Sequence, residues 1–213
     1  SFMRISRINA EKAASLRASL KLIERLYTTE RLRNVELVII GYVEDQEVFQ
    51  LLKSHVDNKE LPVRFVTDSA FTVRASDYLV SADAVIGTGR GLQEAASLGI
   101  PLLCPVANSD EPILIYEECL MELLYQTNFS GRAEIDGRRI DENLRTIVRL
   151  VNDDAFRIEM GVLAQTFFSE RFDVRVAVRK YLELYRGAAF KSFDNVGDVF
   201  VKARTIFRAI RVT

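Results

Sequence analysis

Long apolar runs are missing from this chain of 213 residues. None reaches the ~18 residues that a membrane-spanning helix needs, and nothing at the start reads as a secretory leader. A cytoplasmic location is expected. Histidine occurs once, as His55, on a segment expected to be a surface helix. That leaves almost nothing for a histidine-based catalyst. Cysteine occurs twice, as Cys104 and Cys119, each in an apolar segment. Both read as buried thiols in a reducing compartment rather than as a disulfide. The spacing of a metal site is absent, and no metal is expected. Excess charge is missing too: Lys+Arg 29 against Asp+Glu 30 leaves −1. Nothing at whole-chain level therefore points to nucleic acid. Two phosphate fingerprints are also lacking. No G-x-G-x-x-G is followed by an acidic residue ~20 positions on, and no G-x-x-x-x-G-K-[ST] occurs.

What is present begins with an ordinary globular composition, 48% hydrophobic and 28% charged. The length suits one or two domains with a real core. The central stretch runs from Asp83 to Pro105 and reads DAVIGTGRGLQEAASLGIPLLCP. Ala84-Val85-Ile86 is strand-like, and Gly87-Thr88-Gly89-Arg90-Gly91 is a glycine-rich turn. Leu92 to Leu98 is helix-like and ends at Gly99, and Ile100 to Val106 is a second strand. Strand, glycine turn, helix and strand make a βαβ unit. A glycine turn that opens a helix can cradle an anion, because the backbone can approach closely and free N–H groups point outward. Arg90 adds a charge-assisted donor. Glu94, one turn into the helix, can accept from hydroxyls of the same ligand.

The rest of the chain repeats the alternation. Phe2 to Ile8 is expected as a first strand and Asn9 to Lys12 as a turn. Ala13 to Leu26 has helical spacing of apolar residues. Val35 to Ile40 is a β-branched run of the kind covered on both faces. Glu44 to Val56 is helical, Val63 to Thr67 a third strand, and Ala75 to Ala82 a short helix. This predicts an α/β fold with a doubly wound parallel sheet and right-handed crossovers. Ligands then bind beyond the carboxyl ends of the strands, where the turns after Ile8, Val66 and Ile86 should share one cleft. Beyond Val106 come helices over Glu111 to Gln126, Ile140 to Val151, Ala155 to Arg171 and Val174 to Tyr185, with a turn at Asn128 to Arg132. Residues 187–213 form an amphipathic tail with five basic and two acidic residues. It suits docking on a further domain, or contact with anionic lipid at the inner face of a membrane.

Three groups of residues are candidates for a site. Arg7 and Lys12 flank the turn after the first strand, where a guanidinium fork and a point charge can converge on a diphosphate. A lysine at a helix start opposes the helix dipole, which suggests an anionic ligand. Gly87, Gly89, Arg90, Gly91 and Glu94 form the second group. Asp68, with Ser69 and Phe71 after the third strand, is the third, and could meet a planar base.

Together SRINAEK, VELVIIG, VRFVTD and DYLVSADAVIGTGRGLQEAASLGIPLL resemble the C-terminal, donor-binding domain of GT-B-fold glycosyltransferases, closest to the group 1 enzymes of family 4. In that family a G-R-[LIV]-x-x-x-K-G motif follows the first strand; Ser6-Arg7-Ile8 and Lys12-Ala13 stand in its place. The resemblance implies a Rossmann-like half of a GT-B fold over about residues 4–186, with added C-terminal helices. It implies that Arg7 and Lys12 bind the donor diphosphate and act catalytically on the leaving group. It also implies that Glu94, in the Glu94-Ala95…Gly99-Ile100-Pro101 match, binds ribose hydroxyls. The implied activity is metal-independent transfer of a sugar from a UDP-, GDP- or ADP-sugar donor. The acceptor would be held by the enzyme's own N-terminal domain, which this chain is expected to lack, so the isolated domain is expected to be inactive. One family feature is missing. The usual E-x7-E pair is incomplete, because Ile86 stands eight residues before Glu94. The alternatives are half of a nucleotide-sugar epimerase and a non-catalytic nucleotide-binding or regulatory α/β domain.

Overall fold

A computed structural model describes residues 1–187. Ser1–Asp173 forms one compact unit, and Val174 onwards belongs to a second. Of the expected amphipathic tail, residues 188–213 lie outside the described residues.

The first unit is built on one sheet of β1 (Phe2–Ile5), β2 (Leu37–Ile40), β3 (Val63–Val66), β4 (Ala84–Ile86), β5 (Leu102–Cys104) and β6 (Ile113–Leu114). The strand order is β3-β2-β1-β4-β5-β6. The first five strands are parallel and β6 pairs antiparallel with β5. All four residues of β2, Leu-Val-Ile-Ile, are buried, as a strand covered on both faces requires. Successive residues alternate between two cores. Met3, Val38, Val85, Leu102 and Cys104 face one layer, and Phe2, Leu37, Ile39, Ala84 and Leu103 face the other.

The second of these cores is covered by α1 (Ala10–Glu24), α2 (Gln46–Asn58) and α6 (Gly137–Asn152). The first is covered by a 3-10 turn at Ala75–Ser81, by α4 (Arg90–Ser97) and by α5 (Glu118–Gln126). A short α3 (Ser69–Thr72) precedes that turn, and α7 (Asp154–Arg171) feeds both cores. In the second unit, α8 spans Val174–Gly187. The doubly wound α/β sheet with additional C-terminal helices is therefore what the chain forms.

Several local expectations change. The first helix starts at Ala10 rather than Ala13, because the Asn9 side chain accepts from the Lys12 N–H at 3.0 Å and caps it. Lys12 thus lies inside the first helical turn, not in a loop. Likewise α4 begins at Arg90, so Arg90 and Gly91 are helical and the turn proper is Gly87 to Gly89. The helix expected over Glu111 to Gln126 is instead β6 followed by α5. Its apolar run Pro112 to Ile115 is taken up by the sheet. The edge is completed by buried Asn143 of α6, whose Oδ1 accepts from the Leu114 N–H and whose Nδ2 donates to the Pro112 carbonyl, each at 3.0 Å. Cys104 is buried as expected, but Cys119 is exposed in the first turn of α5, where its thiol faces Glu117 and Arg139.

Candidate functional site

The strand order reverses direction between β1 and β4. In such sheets the loops that follow those two strands diverge and leave a crevice beyond the carboxyl ends. The fold therefore brings the segment after β1 and the glycine turn after β4 to one place.

After β1 the chain is held by Glu44. Its Oε1 lies 3.2 Å from Arg7 Nη1, and its Oε2 accepts from Asn9 Nδ2 at 2.6 Å. Arg7 remains 61% exposed. Gly41, at the end of β2, packs so tightly here that a Cβ on it would sit 1.8 Å from the Ser6 carbonyl oxygen. Lys12 projects from α1 and meets Glu11 Oε1 at 3.0 Å. The hydrogen bond from Lys12, the charge of Lys12 and the charges of Arg7 and Arg132 hold the Glu11 carboxyl below its usual range.

After β4 the turn depends on Gly89, whose φ of 54° and ψ of −127° suit glycine alone. Gly89 donates to the Phe129 carbonyl at 3.0 Å, and Gln93 Nε2 donates to Asn128 Oδ1 at 2.9 Å. The turn at 128–132 is itself contorted, with positive φ at Asn128, Phe129 and Gly131. No side chain caps α4, so its first-turn N–H groups are left without a side-chain partner. Glu94 is 30% exposed in α4, and both its oxygens are engaged: Arg90 Nε donates to Oε1 and Ser76 Oγ to Oε2, each at 2.8 Å. Asp68 caps α3 by accepting from the Ala70 N–H at 2.8 Å. Phe71 is exposed rather than part of the core, and its ring lies 5.7 Å from that of Tyr78.

A cavity of about 590 Å³ opens along α1. Lys12, Ser15, Arg17 and Lys21 line one side; Thr88, Pro105, Ser130 and Arg132 line the other. Of the expected site residues it gathers Lys12 alone, together with Thr88 of the glycine turn. Arg7, Asp68, Gly87, Gly89, Arg90, Gly91 and Glu94 do not line it. Arg17, Ser130 and Arg132 were not foreseen. They come from segments remote in sequence, and only the contorted 128–132 turn carried a local signal.

Beneath this cavity lies a residue that no sequence pattern singles out. Arg4 of β1 is 1% exposed. Its Nη1 donates to Ser19 Oγ at 2.8 Å and to the Ser15 carbonyl at 3.0 Å, and its Nη2 to Ser15 Oγ at 2.7 Å. Nε has no partner. Burial pulls the guanidinium down to about 10, which leaves it charged at neutral pH.

No family model and no curated protein matches the chain. Solved structures do. A point mutant of S. aureus TarM, in complex with Fondaparinux, alpha-GlcNAc-glycerol and UDP, superposes with a TM-score of 0.60 at 17% identity, over 86% of this chain and 35% of that one. The C-terminal domain of a glycosyl transferase group 1 family protein (LpcC) from Francisella tularensis gives 0.55 at 12% identity, over 80% of this chain and 85% of that domain. The fold is that of a GT-B C-terminal domain. The catalytic domain of starch synthase IV from Arabidopsis thaliana, bound to ADP and acarbose, gives 0.51 at 16% identity, over 87% of this chain and 37% of that one. This chain thus spans about a third of the TarM structure (35%) and most of the excised GT-B domain (85%). Among the described residues no group of three or more His, Cys, Asp or Glu could hold a metal ion, and no helix is long and apolar enough to cross a membrane.

Proposed function

We propose that this chain is the nucleotide-sugar-binding half of a glycosyltransferase, and that the diphosphate of the donor lies in the crevice between β1 and β4. The observation that carries this reading is the meeting of Lys12, in the first turn of α1, with Thr88, which stands two residues before the uncapped start of α4, at the sheet's switch point. The fold shared with transferases bound to UDP or ADP supports it.

Chemically, the leaving nucleoside diphosphate gains negative charge as the glycosyl bond breaks. Donors fixed before the reaction stabilise that charge without reorganising. On this reading Lys12 and the α4 N–H groups do this. Arg7 joins them by leaving Glu44, an exposed pair whose loss costs ~0–1 kcal/mol. Glu94 takes the ribose hydroxyls after exchanging Arg90 for them. No step here requires a metal ion. The acceptor and the other wall of the active cleft belong to a separate N-terminal domain, so this chain alone is expected to bind donor without turnover. We place the protein in the cytoplasm on the same reading.

Titration calorimetry of UDP, GDP and ADP against the 213-residue chain tests this. Binding of one of them, weakened at least tenfold by Lys12→Ala, is expected. No binding by any of the three overturns the reading. It would favour a non-catalytic α/β domain, in which the Arg90 and Ser76 contacts simply hold Glu94 closed.

A further inference from the structure

On the reading above the donor diphosphate takes only one end of the cavity along α1, and the cavity as a whole keeps an excess of positive charge. Four basic residues line it: Lys12, Arg17, Lys21 and Arg132. Two acidic ones do, Glu11 and Asp110, and both are committed. Glu11 pairs with Lys12 at 3.0 Å and Asp110 with Lys21 at 2.7 Å. Among the described residues Arg17 and Arg132 have neither a hydrogen-bond nor an ion-pair partner. They come from α1 and from the 128–132 turn, on opposite walls. The serine hydroxyls and backbone between them can complete the coordination of an oxyanion: Ser15, Ser109 and Ser130 also line the cavity.

Arg4 supplies an independent sign of the same polarity. A guanidinium buried without a carboxylate is costly, roughly several kcal/mol for an ion in the interior. The groups it does bond, Ser15 and Ser19, are neutral, and Ser15 is part of the cavity wall. A fixed positive charge behind a neutral wall, screened little by water, raises the potential on the open side of that wall. The volume, about 590 Å³, is that of an ordinary small-molecule site, ~300–1,000 Å³, and larger than a diphosphate alone requires.

We infer that the cavity holds a second anionic group besides the donor diphosphate, a phosphate-class oxyanion gripped by the Arg17 and Arg132 forks and sustained by Arg4. This rests on the donor reading and deepens it: the acceptor, whose body lies on the N-terminal domain, is itself a phosphate ester that reaches its charged group across the cleft into this cavity. A guanidinium pair presents planar, two-pronged donors, the geometry that phosphate oxygens match. The ester can be a soluble one or the head of a lipid, and the chemistry at the arginines is the same.

The test measures inorganic phosphate binding to the 213-residue chain by calorimetry, with and without the nucleotide that the chain binds. Two variants accompany the wild type: Arg17→Ala combined with Arg132→Ala, and Lys53→Ala as a remote control. Phosphate is expected to bind with nucleotide present, at least tenfold more weakly in the double variant and unchanged in the control. Absence of phosphate binding, or binding indifferent to the double substitution, overturns the inference. So does strict competition between phosphate and nucleotide, which would make them one site. If no nucleotide binds but phosphate does and needs both arginines, the donor reading falls and the anion site stands. Cosedimentation with phosphatidylglycerol vesicles, compared with phosphatidylcholine, then separates the sources: arginine-dependent retention on the anionic vesicles marks a lipid head, and phosphate binding without retention marks a soluble ester.

Discussion

Arg4 and Cys104 lie within electrostatic reach of one another inside the sheet, and burial moves their ionisations in opposite directions. The guanidinium falls from its ordinary value to about 10, while the thiol rises from 9.0 to about 12. In both cases loss of water is the largest cause. Their mutual attraction, which favours the guanidinium cation and the thiolate, opposes both shifts. At neutral pH the interior therefore holds a neutral thiol and an unpaired cation.

The pair sets a pH dependence of stability. Cys104 keeps its proton in the folded chain up to about 12 and loses it near 9.0 when unfolded. Its contribution is intact below pH 9 and declines as pH rises, by about 1.4 kcal/mol per pH unit. Arg4 acts with the opposite sign, because the unfolded chain binds the proton more tightly, but only above pH about 10. The window from pH 9 to 10 thus belongs to the thiol. Urea unfolding at pH 8 and pH 10 should show Cys104→Ala losing ~1 kcal/mol less than the wild type between the two. Parallel losses would mean that the thiol titrates normally.

Replacing Arg4 by methionine removes a charge that no acid compensates. Neither serine is stranded, since Ser15 Oγ still donates to the Lys12 carbonyl and Ser19 Oγ to the Ser15 carbonyl. The expected result is neutral to stabilising by ~1–2 kcal/mol in urea unfolding. The same variant should bind phosphate severalfold more weakly. Destabilisation beyond ~3 kcal/mol would show that the buried hydrogen bonds outweigh the desolvation of the ion.

Asn143 completes the antiparallel edge of the sheet. Asn143→Ala leaves the Leu114 N–H and the Pro112 carbonyl buried without partners. Each costs ~1–3 kcal/mol, so a loss of ~2–6 kcal/mol is expected in urea unfolding. A loss under ~1 kcal/mol would indicate that water takes the place of the amide.

The parallel part of the sheet was legible because its signal is local: β-branched runs such as Leu37–Ile40, spaced by helical periodicity. β6 was not, because Ile113–Leu114 is two residues long and owes its state to β5 and Asn143, partners distant in sequence. An apolar run that short has no period of its own. At the site, Lys12 and the Gly89 turn followed from glycine and helix-start chemistry, whereas the pairing of Arg17 with Arg132 across a cavity has no sequence signature at all. Cys119 misled for a related reason. Leu120 and Met121 after it are apolar, but Glu117 and Glu118 precede it and it occupies the outward-facing first turn of α5.

Gly41 fixes the loop that carries Arg7. In Gly41→Ala the added methyl meets the Ser6 backbone rather than a side chain that can swing away. The strands must part locally, at a cost of ~1–3 kcal/mol. Donor affinity should fall with stability in this variant. Unchanged stability would mean that the β1–β2 ends have slack.

Glu94 separates recognition of ribose from recognition of phosphate. Its contact with Arg90 is an exposed pair one helical turn apart, so Glu94→Ala should change stability by less than ~1 kcal/mol. A hydrogen bond to a charged group contributes ~1.5–3 kcal/mol to binding, or roughly tenfold to hundredfold in affinity. Calorimetry with the nucleoside diphosphate should show a loss of that size for Glu94→Ala, while inorganic pyrophosphate binds the variant and the wild type alike. A 2′,3′-dideoxy nucleotide should lose affinity for the wild type but not for the variant, since the partner is already gone. Lys12→Ala should instead weaken nucleotide and pyrophosphate together. If Glu94→Ala weakens pyrophosphate as much as nucleotide, its carboxylate acts by positioning Arg90 against the phosphates, and the ribose assignment fails.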